Sequence, residues 1–189
     1  MNKKGKITLM GARKFLDMPK GTIYHQFWMD NSKECLKLIE EFNKNPKEYF
    51  SNLGLILHIY GNNRGSMALR GPVDDDSYEP IETDSIEDYL FYYDANVVGD
   101  ASPNDTLYLV IEESLLPDII EFEYGSVTKD EFLQLRNIFL EFDDFKEHGI
   151  DNIEDPANEW ARDELYNDDY YKNNPLLDTD ITVTIELDQ

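Results

Sequence analysis

Negative charge is distributed unevenly along this chain, and that unevenness constrains the fold more than any motif does. Residues 1–70 hold 12 Lys/Arg against 6 Asp/Glu, whereas residues 71–189 hold 5 against 34. The second stretch therefore carries a surplus of 29 negative charges on 119 residues. Like charges at that density repel, so any stable fold must keep them wet and spread them over one-faced elements. A hydrophobic fraction of 41% and an aromatic fraction of 13% supply enough core formers to distinguish the chain from a disordered acidic tail. A salt-adapted composition would make the first 70 residues acidic as well, so the asymmetry points to a field with a use. Such a field repels nucleic acid and membranes and attracts a basic surface.

Local patterns give an α+β fold, a mainly antiparallel sheet packed by two or three amphipathic helices. Phe15, Leu16 and Met18 read as a short helix ending in the turn Pro19-Lys20-Gly21, and Thr22 to Trp28 as a β-branched and aromatic strand. Asn31 or Ser32 caps a helix whose apolar positions Cys35, Leu38, Ile39 and Phe42 recur at helical spacing. That stripe makes Cys35 an inert core thiol, and a single cysteine excludes an internal disulfide. Leu53 to Tyr60 and Ser66 to Arg70, joined by Gly61-Asn62-Asn63-Arg64-Gly65, read as a hairpin.

Gly71-Pro72 opens the acidic part. Ser85 caps a helix from Ile86 to Tyr93 or, given the four aromatics Tyr89, Phe91, Tyr92 and Tyr93, the segment is a strand. Thr106 to Ile111 and Ile119 to Tyr124 are strands, and Thr128-x-x-Glu131 is a capping box. The box opens a helix with Phe132, Leu135, Phe139 and Phe142 inward, flanked by Ile138 and Phe145, up to His148-Gly149. A further acidic helix spans Ala157 to Tyr166, and Ile181 to Leu187 is a strand returning to the sheet. The organisation expected is a basic α/β lobe over 1–70 and an acidic α+β part over 71–189, packed as one unit.

Catalytic signals are sparse. His25 and His58 fall on strands and His148 at a helix end, none within a motif. Adjacent acids such as Asp74-Asp75-Asp76, Glu112-Glu113, Asp143-Asp144 and Asp168-Asp169 point in different directions and lack the spacing of a calcium loop. Asp118, Glu121 and Glu123 partly match a metal-nuclease pattern, but its lysine is missing. No cofactor, metal ligand or catalytic residue is expected, and a divergent metal-dependent hydrolase built on these three acids is the enzymatic alternative. No apolar run approaches the roughly 20 residues that cross a bilayer. Absence of a leader pattern at the basic start and the lone cysteine suggest a cytoplasmic protein with no membrane partner.

What remains is recognition by charge. A helix rising about 1.5 Å per residue can display carboxylates at a density comparable to the roughly one charge per 1.7 Å of duplex DNA. Asp130, Glu141, Asp144 and Glu147 on one helix, and Glu159 and Asp163 on the next, are the candidate contact acids, with Tyr170 and Tyr171 as rigid aromatic anchors.

In size, acidity and lack of catalytic motifs the chain resembles the small acidic anti-defence proteins of bacteriophages and mobile elements, the anti-CRISPR and anti-restriction proteins. The stretch Lys14-Phe15-Leu16-Asp17-Met18-Pro19-Lys20-Gly21-Thr22-Ile23-Tyr24 also looks like the opening of small phage proteins of Gram-positive hosts. The resemblance implies a non-enzymatic inhibitor that fills the basic nucleic-acid-binding cleft of a nuclease or CRISPR effector. Its partner would be a basic nucleic-acid-binding protein, with no direct nucleic-acid contact by the acidic part and with self-association compatible. An immunity protein against a basic toxin nuclease shares the same electrostatics.

Overall fold

Strand β1, Lys3–Met10, runs through the most basic part of the chain. Three lysines in four positions mask the alternation beneath them, so the sequence carries no strand signal there. Lys4 and Lys6 are exposed, while Gly5, Ile7 and Leu9 point to a buried face. The computed structural model describes residues 2–54, 56–61, 66–70, 74, 76–77, 79–82, 90–94, 103–122, 125–141, 165, 169 and 173–188, with backbone alone for 66–70, 90–94, Pro103 and Glu141.

The remaining elements follow in chain order: α1 (Ala12–Phe15), β2 (Ile23–Trp28), α2 (Ser32–Lys44), α3 (Pro46–Ser51), β3 (His58–Tyr60), β4 (Ser66–Arg70), β5 (Leu90–Asp94), β6 (Thr106–Ile111), β7 (Ile119–Phe122), β8 (Gly125–Thr128), α4 (Lys129–Glu141) and β9 (Asp180–Leu187). Seven strands form one sheet in the order β5-β4-β3-β2-β6-β1-β9, and β7 and β8 form a separate two-stranded ribbon. Every pairing is antiparallel. The fold is α+β, as expected.

β1 lies between β6 and β9, with Ile7 opposite Ile111 on one side and Val183 on the other. Strands from the basic and acidic parts of the sequence therefore interleave in one sheet. Residues 86–93, offered as a helix or a strand, resolve in favour of the strand where they are described. β5 pairs Phe91 with Leu69 and Tyr93 with Met67, consistent with the β preference of aromatic side chains. The apolar run from Leu53 narrows to a strand of three residues, β3, and is preceded by α3, with Asn45 as cap and Pro46 in its first turn. The later part of the helix expected up to His148-Gly149, and the acidic helix expected over 157–166 apart from Leu165, lie outside the described residues.

Two cores flank the sheet. On one face Ile7, Leu9, Ile23, Ile59, Leu107, Leu109 and Ile111 meet Cys35, Leu38 and Phe42 of α2, Phe50 of α3 and Phe132, Leu135 and Phe139 of α4. Asn31, rather than Ser32, caps α2, its side chain accepting from the amides of Lys33 and Glu34 at 3.1 and 3.2 Å. α4 starts with the expected capping box: Thr128 Oγ1 accepts from the Glu131 amide at 3.2 Å, and Glu131 Oε2 accepts from the Thr128 amide at 2.7 Å.

The opposite face holds Met10, Phe15, Leu16, Tyr24, Tyr60, Tyr108, Leu165 and Leu177. Phe15 stacks on Tyr108 with centroids 4.1 Å apart and tilts against Tyr24 and Tyr60. The stretch from Lys14 to Tyr24 thus has a structural role as the corner that delivers Phe15 to this cluster. Gly21, at φ 91°, makes the turn, and its amide donates to Tyr60 O at 2.6 Å. Among the described residues no helix is long and apolar enough to cross a membrane.

Candidate partner-binding surface

Among the residues of 71–189 described with side chains, no Asp or Glu is buried, and most are exposed, including Glu112, Glu113, Asp118, Glu121, Asp130, Asp180, Glu186 and Asp188. Several acids are tied to cations from the first 70 residues. Lys3 Nζ reaches Asp118 Oδ1 at 3.2 Å and also donates to Leu116 O at 2.9 Å. Lys47 meets Asp188 at 3.5 Å, and Arg13 meets Asp178 at 3.0 Å. Three cations of the basic part are thus paired with carboxylates of the acidic part, and of the three only Arg13 is buried.

Arg13 is the most informative of these cations. It is 5% exposed, and its Nε donates to Leu165 O at 2.8 Å while Nη1 holds Asp178. A guanidinium offers donors in a planar fork that an ammonium cannot reproduce, so one buried side chain joins two separate segments of the acidic part to α1.

Of the eight residues expected to contact a partner, Asp130 is described in full: it is exposed in the first turn of α4, where a carboxylate is favoured by the helix N-terminus. Glu141 ends α4 and only its backbone is described. Asp144, Glu147, Glu159, Asp163, Tyr170 and Tyr171 lie outside the described residues. The structure therefore brings none of the eight together as a described cluster.

The enzymatic alternative gains no assembled site from the described residues. Asp118 is 87% exposed and engaged by Lys3, Glu121 is exposed on β7, and Glu123 lies outside the described residues. No group of three His, Cys, Asp or Glu among the described residues is placed to hold a metal ion. His25 Nδ1 is 2.9 Å from Ile56 O, and burial lowers the ring's pKa below its usual value, with the carbonyl contact opposing. His58 stacks on Tyr24 at 5.3 Å. Cys35 is fully buried, and burial followed by the charges of Asp105 and Glu34 pushes its thiol up to about 11, in keeping with the inert role read from the sequence.

An open groove of about 690 Å³ runs between α3 and the end of the sheet, lined by Lys3, Lys47, Phe50, Leu115, Asp118 and Asp188 among others. Its two lysines are already paired with its two aspartates.

Two surface features were not singled out by sequence reasoning. Trp28, at the end of β2, is 61% exposed and lies two residues from exposed Asp30. Its place at the tail of an aromatic strand signals burial, and only the sheet geometry shows that the strand outruns the core. The other is β9, the sheet edge among the described residues. No family model, curated protein or solved structure matches the chain, so the reading of its surface rests on the physical observations above.

Proposed function

We propose that this chain is a non-enzymatic inhibitor that binds the basic nucleic-acid-binding cleft of a nuclease or CRISPR effector in a bacterial cytoplasm and competes there with DNA or RNA. The observation that carries this reading is the surplus of 29 negative charges on residues 71–189. Holding that charge in one folded domain costs stability through self-repulsion, a cost that recognition of a cationic surface recovers. The exposure of the described carboxylates supports the reading, since solvated acids are available to a partner. The resemblance to small acidic anti-defence proteins points the same way.

Affinity capture tests it. Tagged protein is incubated with a bacterial lysate containing restriction enzymes and CRISPR effectors at low and at high salt, and bound proteins are identified by mass spectrometry. The expected result is a nucleic-acid enzyme that added DNA or high salt releases, because exposed charge pairs are screened over about 10 Å at 0.1 M salt. Recovery of no basic partner at either salt would overturn the proposal.

A further inference from the structure

The geometry points to β9 as a docking edge that accepts a basic extended segment of the partner as an added antiparallel strand, an inference that rests on the basic-partner reading above. β9 is eight residues long, Asp180–Leu187, and among the described residues it closes the seven-stranded sheet with its far side unpaired. A strand in that position offers a row of backbone donors and acceptors to a further chain.

Its side chains specify the occupant. Asp180, Thr182, Thr184 and Glu186 are exposed on one face, while Ile181, Val183, Ile185 and Leu187 turn toward the core. β1, the inner neighbour, shows what such a strand accepts, pairing with it in register at eight positions. Lys4 stands opposite Glu186 and Lys6 opposite Thr184 on the exposed face, and Ile7 stands opposite Val183 and Leu9 opposite Ile181 on the apolar face. The outer side of β9 offers the same side chains, so it suits the same alternation of lysine and apolar residues. Of the four acids in residues 173–189, Asp178 and Asp188 are paired with Arg13 and Lys47, which leaves Asp180 and Glu186 on β9 itself to favour a cationic strand. Glu186 also accepts from Asn2 Nδ2 at 3.0 Å.

A second copy fits poorly. Antiparallel self-pairing that keeps the apolar faces aligned about Val183 sets Asp180 against Glu186, and each chain brings a net charge of −23. Like charges directly opposite destabilise a strand pair, and such residues are a known guard against edge-to-edge association.

The test uses the full chain and a dye-labelled synthetic peptide with the sequence of residues 3–10, alongside the same peptide N-methylated along both edges. The two peptides carry equal charge and differ in their capacity to join a sheet. Strand addition predicts saturable binding of the unmodified peptide, slower amide hydrogen exchange across residues 180–187, and binding of the methylated peptide weaker by about tenfold or more, in line with loss of one or more net hydrogen bonds. Equal binding of both peptides without protection of 180–187 would overturn strand addition and leave charge attraction, and the basic-partner reading, standing. Binding of neither peptide would also overturn it, the basic-partner reading being judged separately by the capture experiment. Protection of 180–187 that rises with protein concentration in the absence of peptide would identify a second copy as the occupant and overturn the assignment.

Discussion

Arg13 and His25 show how single side chains tie the charge pattern to stability. Truncating Arg13 to Ala removes a buried guanidinium from Leu165 O and Asp178, leaving a carbonyl short of a donor. The expected loss is about 2–4 kcal/mol, measurable by urea unfolding, with Arg13→Lys recovering little because an ammonium cannot span both partners. His25 sets a pH dependence. Its folded-state pKa lies below the ordinary 6.5, so the unfolded chain binds the extra proton within that interval. Stability from the neutral ring is present above 6.5 and is lost as pH falls through the folded value. His25→Gln should therefore lose less stability than the unaltered chain between about pH 7.5 and pH 5, read from paired urea titrations. An equal loss in both would assign the pH dependence to other groups. Trp28, 61% exposed, should tolerate replacement by Ala within about 0.5 kcal/mol while weakening partner capture, since exposed tryptophan is a favoured interface anchor.

Elements whose signal is local were legible in the sequence. The capping box of α4, the stripe of α2 and the alternation of β9 each specify their own conformation, and all three occur where the residues predict them. Thr128→Ala should cost about 1 kcal/mol of stability by chemical denaturation, the usual worth of an N-cap; an unchanged midpoint would mean that packing of Phe132, Leu135 and Phe139 alone holds the helix start. β1 was not legible, because Lys4 and Lys6 are solvated on one face while Lys3 begins the face that carries Ile7 and Leu9, and only pairing with β6 and β9 distinguishes that from a basic tail. The ribbon β7–β8 was half legible: Ile119 and Ile120 read as strand, but Gly125 and Ser126 carry little β preference and are held by their partner. The candidate contact surface was legible only as composition, since charge density does not say which acids share a face.

At the scale of the whole molecule, which carries a net charge of −23, strands from the basic and acidic parts of the sequence share one sheet, and Lys3, Arg13 and Lys47 each pair with a carboxylate of the acidic part. A field of that size is distributed and its contributions are roughly additive, so single charge reversals at Glu141, Asp144 or Glu147 should each weaken partner affinity by about threefold, and the triple reversal by about thirtyfold without unfolding the chain. Unchanged affinity in the triple variant would move the interface away from residues 141–147. The most direct measurement of the central claim is a competition assay with the captured enzyme, in which its affinity for labelled DNA is determined at increasing concentrations of this protein and at two salt concentrations. Occupation of the nucleic-acid cleft predicts that DNA affinity falls in proportion to added protein, more steeply at low salt. DNA affinity that stays constant while the protein remains bound to the enzyme would contradict it.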